Sequence, residues 1–283
     1  MLRELAPGVF VETGYMGGNV GLVLSEQGAL LIDTPLLPHE GRLWRGALRD
    51  LGVTSLYGIV NTDPHPEHFL GNATFGPTRI LGHELTVRQV AKYRASGLEE
   101  LANLYRERDP ALADELAQID VRGPELCVED RLTLYLGDRR AQVLHLNGHT
   151  PASLGVYLPD ERVLFAGDNV VNNEYPVMSQ ANSAAWLEML TSIQAMDTGI
   201  IVPGTGEPCG KECLEPLILY ITELRERVGE LFRAGASRRD CVEKVVLLER
   251  FPIPEAQAAL VKRRKRENVE RVYAEIRAAE RRR

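Results

Sequence analysis

The chain is short of cysteine, of long apolar runs and of positive charge, and each shortage excludes a class of protein. Its four cysteines, Cys127, Cys209, Cys213 and Cys241, are too few to staple a fold of 283 residues. They read as ordinary reduced thiols; only Cys209 and Cys213 lie close enough in sequence to suggest a pair. No apolar run approaches the roughly 18–20 residues that span a membrane. The opening, Met1-Leu2-Arg3-Glu4-Leu5-Ala6-Pro7, carries no apolar signal core. A cytoplasmic protein without a membrane partner is therefore expected. A formal net charge of −7 disfavours nucleic acid as a partner. What is present, 44% hydrophobic residues over this length, is enough for one large domain with an appendage.

The chemistry concentrates in Asn61-Thr62-Asp63-Pro64-His65-Pro66-Glu67-His68-Phe69-Leu70-Gly71-Asn72. Asp63, His65, Glu67 and His68 place four metal-ligand types within six residues, and no sulfur is among them. The apolar run Leu56-Tyr57-Gly58-Ile59-Val60 just before it is the length of a buried strand, so the ligands sit on a loop at a strand end.

This loop resembles the His-x-His-x-Asp-His signature of the metallo-β-lactamase superfamily. Two further stretches resemble the same family in order and spacing. The first runs Gly148-His149-Thr150-Pro151-Ala152-Ser153 and then Val163-Leu164-Phe165-Ala166-Gly167-Asp168; the second is Val202-Pro203-Gly204-Thr205-Gly206. The resemblance covers about residues 8 to 211 and implies an α/β fold, an αββα sandwich. Residues 1–210 would form that domain, with a helical insertion at about 84–120, and residues 211–283 a C-terminal helical subdomain. The resemblance also implies a divalent-metal hydrolase, using one or two ions and a metal-bound hydroxide on an ester, lactone, thioester, amide or phosphoester of a small molecule.

Carried over position by position, His65, His68, His149 and Asp168 are retained, whereas Asp63 stands in place of His, Glu67 in place of Asp, and Thr205 in place of the last His. One metal would see Asp63, His65, His149 and Asp168; the other Glu67, His68 and Asp168. Asp63 and Asp168 would orient the nucleophile. Three carboxylates balance two divalent ions and a bridging hydroxide. The added carboxylate makes the site harder, so iron or manganese is admitted beside zinc, the metal expected first. Loss of the last His weakens the second site. Two other readings stay open: a mononuclear non-haem iron oxidoreductase built on His65, His149 and Asp168, and a degenerate member that binds a ligand without turnover.

Elsewhere the pattern predicts strands at 8–13, 19–24, 29–33, 79–82, 132–136, 141–146, 154–158, 163–166 and 200–202, and helices at 39–51 and from Ser183. Asp33 is either an outer partner of a ligating His or a turn-forming acid. The insertion either caps the cleft or packs on a sheet face. His83 reads as a helix-terminal residue and His145 as a structural one. The polar stretch from Asp168 to Pro176 reads as a loop, with Asn172, Asn173 and Tyr175 facing substrate. The tail carries an apolar helical stripe, Leu217 to Phe232, then further helix over Arg238 to Arg250 and from Glu255 onward, the last with a stripe, Val269 to Ile276, that must dock on the body or on a second copy in a homodimer. Its basic run Lys262–Arg266 reads as a solvated face balanced by Glu267, Glu270, Glu275 and Glu280.

Overall fold

A computed structural model describes residues 1–281. Strands β1 (Leu2–Ala6), β2 (Val9–Glu12), β3 (Val20–Val23), β4 (Ala29–Ile32), β5 (Leu56–Val60), β6 (Ile80–Gly82) and β7 (Leu126–Cys127) form one seven-stranded sheet in that order. Its first four strands are joined by short turns and run antiparallel. From β4 onward the neighbours are parallel, because helices intervene. Strands β8 (Arg131–Tyr135), β9 (Arg140–His145), β10 (Leu154–Leu158), β11 (Val163–Val171) and β12 (Ile200–Thr205) form the second sheet, in which only β11 and β12 are parallel.

The two-residue alternation of strands decides what each sheet face meets. Leu30 and Ile32 face Val143, Val156, Val163 and Phe165 in a core between the sheets. Leu31, between them, joins Trp44 and Leu48 of helix α1 (Pro38–Asp50) on the outer side. Leu164, likewise flanked by inward residues, points outward to α6 (Ser183–Ala195), α7 (Leu214–Arg233) and α9 (Ala258–Glu280), where Trp186, Ile221, Leu224 and Val272 are buried. Helix, sheet, sheet, helix is the αββα sandwich that the resemblance implied.

Between α2 (Pro66–Phe69) and α6, the inserted helices α3 (Glu84–Lys92) and α4 (Leu98–Tyr105) pack on Phe69, Leu70 and Leu36, and α5 (Pro110–Ala117) packs on α4. Tyr105 donates its hydroxyl to Met16 Sδ (3.4 Å) in the β2–β3 loop, and Arg42 pairs with Glu115 (3.0 Å). The insertion therefore stands as a wall beside α2. The tail stripes dock on the chain's own second sheet: Leu217, Ile221, Val269 and Val272 share one core with Leu164 and Ile201.

Three readings are corrected. Strand β11 does not stop at Ala166. A register shift at Gly167, which takes a positive φ of 54°, lets parallel pairing with β12 continue to Val171, so Asp168 and Asn169 lie on a strand. Helix α8 (Arg238–Lys244) ends earlier than the expected Arg250, because Val245 is already extended and Pro252 and Pro254 follow. Cys209 and Cys213 are joined as a disulfide rather than left as separate thiols. Backbone pairing of Cys209 with Ile201 and entry of Cys213 into α7 bring their Cα atoms to 6.2 Å, a span a disulfide covers. Cys127 and Cys241 stay free. Among the described residues no helix is long and apolar enough to cross a membrane.

Candidate metal centre

Parallel pairing of β4 with β5, and of β11 with β12, brings the C-terminal ends of four strands to one edge of the sandwich. Asp33 follows β4, Thr62 and Asp63 follow β5, Asp168 lies late in β11, and Thr205 ends β12. The loop after β5 is held at both ends by its outer asparagines. Asn72 Nδ2 donates to Asn61 Oδ1 (2.9 Å), and Asn61 Nδ2 donates to the His68 carbonyl (2.7 Å). Pro66 at the first turn of α2 starts the helix that carries Glu67 and His68.

Six side chains converge there in two groups. Asp63, His65 and His149 offer one ligand atom each, all within 4.8 Å of one another; so do Glu67, His68 and Asp168. His68 Nε2 and His149 Nε2 both face Asp168 Oδ2, at 3.5 and 3.7 Å, so Asp168 lies between the groups. All six are positions that the sequence singled out; Asp168, expected in both groups, falls within the compass of the second alone.

The state of the donors fits a cation. His68 Nε2, both ring nitrogens of His149, and Asp168 Oδ1 are buried and have no hydrogen-bond partner in the protein. Asp63 is fully buried and accepts from Ser153 Oγ (2.6 Å) and Thr150 Oγ1 (3.1 Å) through Oδ2, which leaves Oδ1 beside His65 Nδ1 at 2.5 Å. Burial by itself would raise the Asp63 carboxyl. The His65 hydrogen bond and the three imidazoles outweigh it and hold the group well below the carboxylate range. Asp168 is lowered in the same way, its burial outweighed by His68 and His149. In return, burial that would depress His65 is overcome by Asp63, and its imidazole is pushed up to about 9. His68 is raised well above an ordinary imidazole, with Asp33 and Asp168 overcoming its burial. The imidazoles and the buried carboxylates thus hold one another in their charged forms.

Asp33 resolves the choice left open by the sequence. It sits at φ 58°, and its carboxylate accepts from Thr62 N (2.7 Å), Thr62 Oγ1 (2.5 Å) and His68 Nδ1 (2.9 Å). That bond places the His68 proton on Nδ1 and leaves Nε2 to face the Asp168 side.

Other expectations divide. His83 Nδ1 accepts from Leu85 N (3.2 Å) as a helix cap, and its ring lies on His145 at a centroid distance of 4.7 Å. His145 in turn bonds the Pro151 carbonyl (3.0 Å), so neither ring joins the two groups. Tyr175, expected to face substrate, is 3% exposed and packs edge-on against Tyr220 and Phe251. Asn172 donates to the Glu207 carbonyl (2.8 Å). Thr205 is half-buried beside Gly204, whose missing Cβ leaves room for the Asp168 carboxylate. Tyr93, from the inserted helices, has its phenol raised by burial and then by the Glu67 charge, so the insertion borders the Glu67 side.

Four contributors escaped the sequence reading. Trp186 packs edge-on at 5.5 Å against His149 and donates to the Asn169 carbonyl (2.8 Å). The Thr150 and Ser153 hydroxyls stood in a quoted motif, but no pattern tied them to Asp63. Gln180, whose side-chain nitrogen lies 2.9 Å from His65 Nε2, had no signal at all.

The acyl-coenzyme A thioesterase MBLAC2 of Bos taurus is 26% identical over 237 residues, covering 75% of this chain and 83% of that protein. A linear primary-alkylsulfatase of Pseudomonas sp. is 22% identical over 261 residues; the match takes in 80% of this chain but only 49% of the sulfatase, so the chain spans about half its length. Among solved structures, a metallo-beta-lactamase family protein from Thermus thermophilus superposes with a TM-score of 0.68 at 18% identity, over 98% of this chain and 95% of that one. The sec-alkylsulfatase Pisa1 from Pseudomonas sp. gives 0.71 at 17% identity, over 96% of this chain and 49% of its own. At such identities the structures attest the fold alone. The superfamily profile, however, matches residues 13–205, from the β2–β3 loop to the end of β12, and so spans every strand end that carries a donor. The chain belongs to the metallo-beta-lactamase superfamily.

Proposed function

We propose that the protein is a metal-dependent hydrolase of a small ester-class substrate, a thioester first. Asp63, His65 and His149 would hold one divalent ion, and Glu67, His68 and Asp168 a second. The observation that carries this reading is the pair of three-donor groups, each within 4.8 Å, lined with buried donor atoms that have no protein partner. A bound divalent metal supplies Lewis acidity, polarising the oxygen of the scissile group and acidifying water.

The chain's own residues set the conditions for that chemistry. Asp33 and His68 fix one imidazole tautomer; Ser153 and Thr150 hold Asp63 so that one carboxylate oxygen points at His65. Asp168, between the groups, is placed to orient a nucleophilic water. Trp186, fully buried and edge-on to His149, shields that ring from bulk water. Nitrogen and oxygen donors without sulfur suit zinc, and the carboxylate-rich set extends the range to iron and manganese.

The thioester preference rests on the relative with matched length, a thioesterase covered over 83% of its sequence. Elemental analysis of protein purified without a chelating column, followed by assays on acyl thioesters, alkyl sulfates and lactones, tests the proposal. Metal-free protein that no divalent ion reloads would sink it. One observation supports a second reading: Asp63, His65 and His149 are a two-histidine, one-carboxylate set of the type that holds non-haem iron. Iron in the analysis together with oxygen consumption would select that reading.

A further inference from the structure

The loop between β11 and α6 is gripped from the far end of the chain. Helix α9 touches its backbone at four successive points. Arg264 donates to the Tyr175 carbonyl (3.0 Å), and Asn268 Nδ2 donates to the Pro176 carbonyl (3.0 Å) while its Oδ1 accepts from Met178 N (3.1 Å). Arg271 Nε donates to the Ala181 carbonyl (2.6 Å). Asn268 is 1% exposed, and its remaining hydrogen goes to Tyr220 Oη (2.9 Å), so it is a dedicated clamp rather than a surface residue that happens to touch the loop. On the other flank, Asn182 N donates to the Gly148 carbonyl (3.0 Å), next to His149.

Between these anchors the chain turns, with Ala181 N bonded to the Met178 carbonyl (3.0 Å). Tyr175, Pro176, Met178 and Ala181 are buried, while Ser179 and Gln180 at the tip are exposed. The turn therefore presents Gln180 over the site, and its side-chain amide reaches His65 Nε2 at 2.9 Å. His65 Nδ1 faces Asp63 at 2.5 Å. An imidazole that coordinates through Nδ1 carries its proton on Nε2 and needs an acceptor there. A half-turn of the glutamine amide brings its carbonyl oxygen to that place without moving the backbone.

We propose that Gln180 is a positioning residue for His65: gripped through its turn by α9, its amide carbonyl accepts from Nε2 and commits Nδ1 to the metal. Gln180 then does for His65 what Asp33 does for His68, with a neutral acceptor in place of a charged one. The inference rests on the reading of the site as a metal centre. It adds that the last helix of the chain tunes that centre.

Cobalt(II) binding to chelator-treated full-length protein tests it, read by competition with a chelating dye and by the visible d–d spectrum. Gln180 is exposed, so Gln180→Ala keeps the fold, and a thermal melt of the metal-free variant checks this. The expected result is a loss of affinity of about tenfold or more, with an altered spectrum. Gln180→Glu, which keeps an acceptor, should restore both. Arg271→Ala should reproduce part of the loss, and adding it to Gln180→Ala should add little, since both act on one bond. Gln180→Ala with wild-type affinity and spectrum overturns the proposal while leaving the metal centre intact. Wild-type protein that binds no cobalt or zinc overturns the metal reading, and the proposal with it. Additive losses from Gln180 and Arg271 would remove the link to α9.

Discussion

Replacing Asp33 by Asn tests the electrostatic construction of the site with least disturbance of its shape. Asn keeps the size of Asp and accepts the left-handed backbone at φ 58°, so neither packing nor strain changes. Three donors converge on the Asp33 carboxylate: the Thr62 backbone N–H, the Thr62 hydroxyl and His68 Nδ1. An amide provides one oxygen and must turn its NH2 toward the remaining donors. The Thr62 hydroxyl can rotate and accept; the backbone N–H and the imidazole N–H cannot. If the NH2 faces Thr62 N, a buried donor is stranded, at a cost of about 1–3 kcal/mol. If it faces His68, Nδ1 must become the acceptor and the proton moves to Nε2, the nitrogen that faces Asp168. Loss of an outer partner of this kind weakens metal binding by about 10–100-fold, or about 1.4–2.8 kcal/mol at 1.4 kcal/mol per decade. Chelator competition with zinc or cobalt, on protein at matched occupancy, measures it. The Glu67, His68 and Asp168 group should lose affinity while the other group holds its ion. Affinities indistinguishable from wild type at both positions would refute the argument that the Asp33 charge sets the His68 tautomer.

Metal loading should release protons, because Asp63 holds His65 up to about 9 against a free value of 6.5; apparent affinity should rise with pH until about 9, read by calorimetry in buffers of different ionisation enthalpy. The sign is opposite for the metal-free protein: a raised imidazole stabilises the fold fully below its unfolded pKa, so that contribution should fade as pH climbs from about 6.5 through about 9, read by denaturant midpoints. Thr205→His supplies the imidazole missing from the end of β12 and should raise metal stoichiometry or affinity; an unchanged titration would show that Glu67 already fills that place. Leu224→Ala, at a fully buried position on α7, should cost about 2–5 kcal/mol of unfolding free energy. A loss below the low end of that range would mean that the tail contributes less to the shared core than its burial implies.

The parts of the site that could be read in the sequence are those where chemistry and spacing coincide. His65, His68, His149 and Asp168 stand in short motifs because each must leave a strand end at a fixed offset, and a motif records that offset. Alternation was legible for the same reason: Leu30, Leu31 and Ile32 meet opposite layers and the letters show it. Strands β1 and β7 were not legible, since the first is half exposed and the second has only two residues, both exposed. The continuation of β11 through Asp168 was hidden by its polar letters; pairing with β12, a long-range event, overrides local preference there. Tyr175 looked like a cleft residue because the neighbouring asparagines are polar, yet the aromatic pair Tyr220 and Phe251, distant in the chain, draws it inward. Gln180 could not have been found, for its role exists only once α9 has fixed the turn that carries it.

That dependence has a consequence for how the protein is made. Asp168 is the last of the six donors to leave the ribosome, and Asn268, the buried clamp, follows 100 residues later by their numbers, 268 − 168. At about 5–20 residues per second the interval is about 5–20 s. During it every donor is available, but the turn with Gln180 is unclamped and α9 does not yet cover its share of the second sheet's outer face. An ion captured in that interval meets a looser and more permissive nest than the finished protein offers. Which metal the nascent chain takes can therefore differ from the one the mature fold prefers, and the closing of α9 would then trap the early arrival.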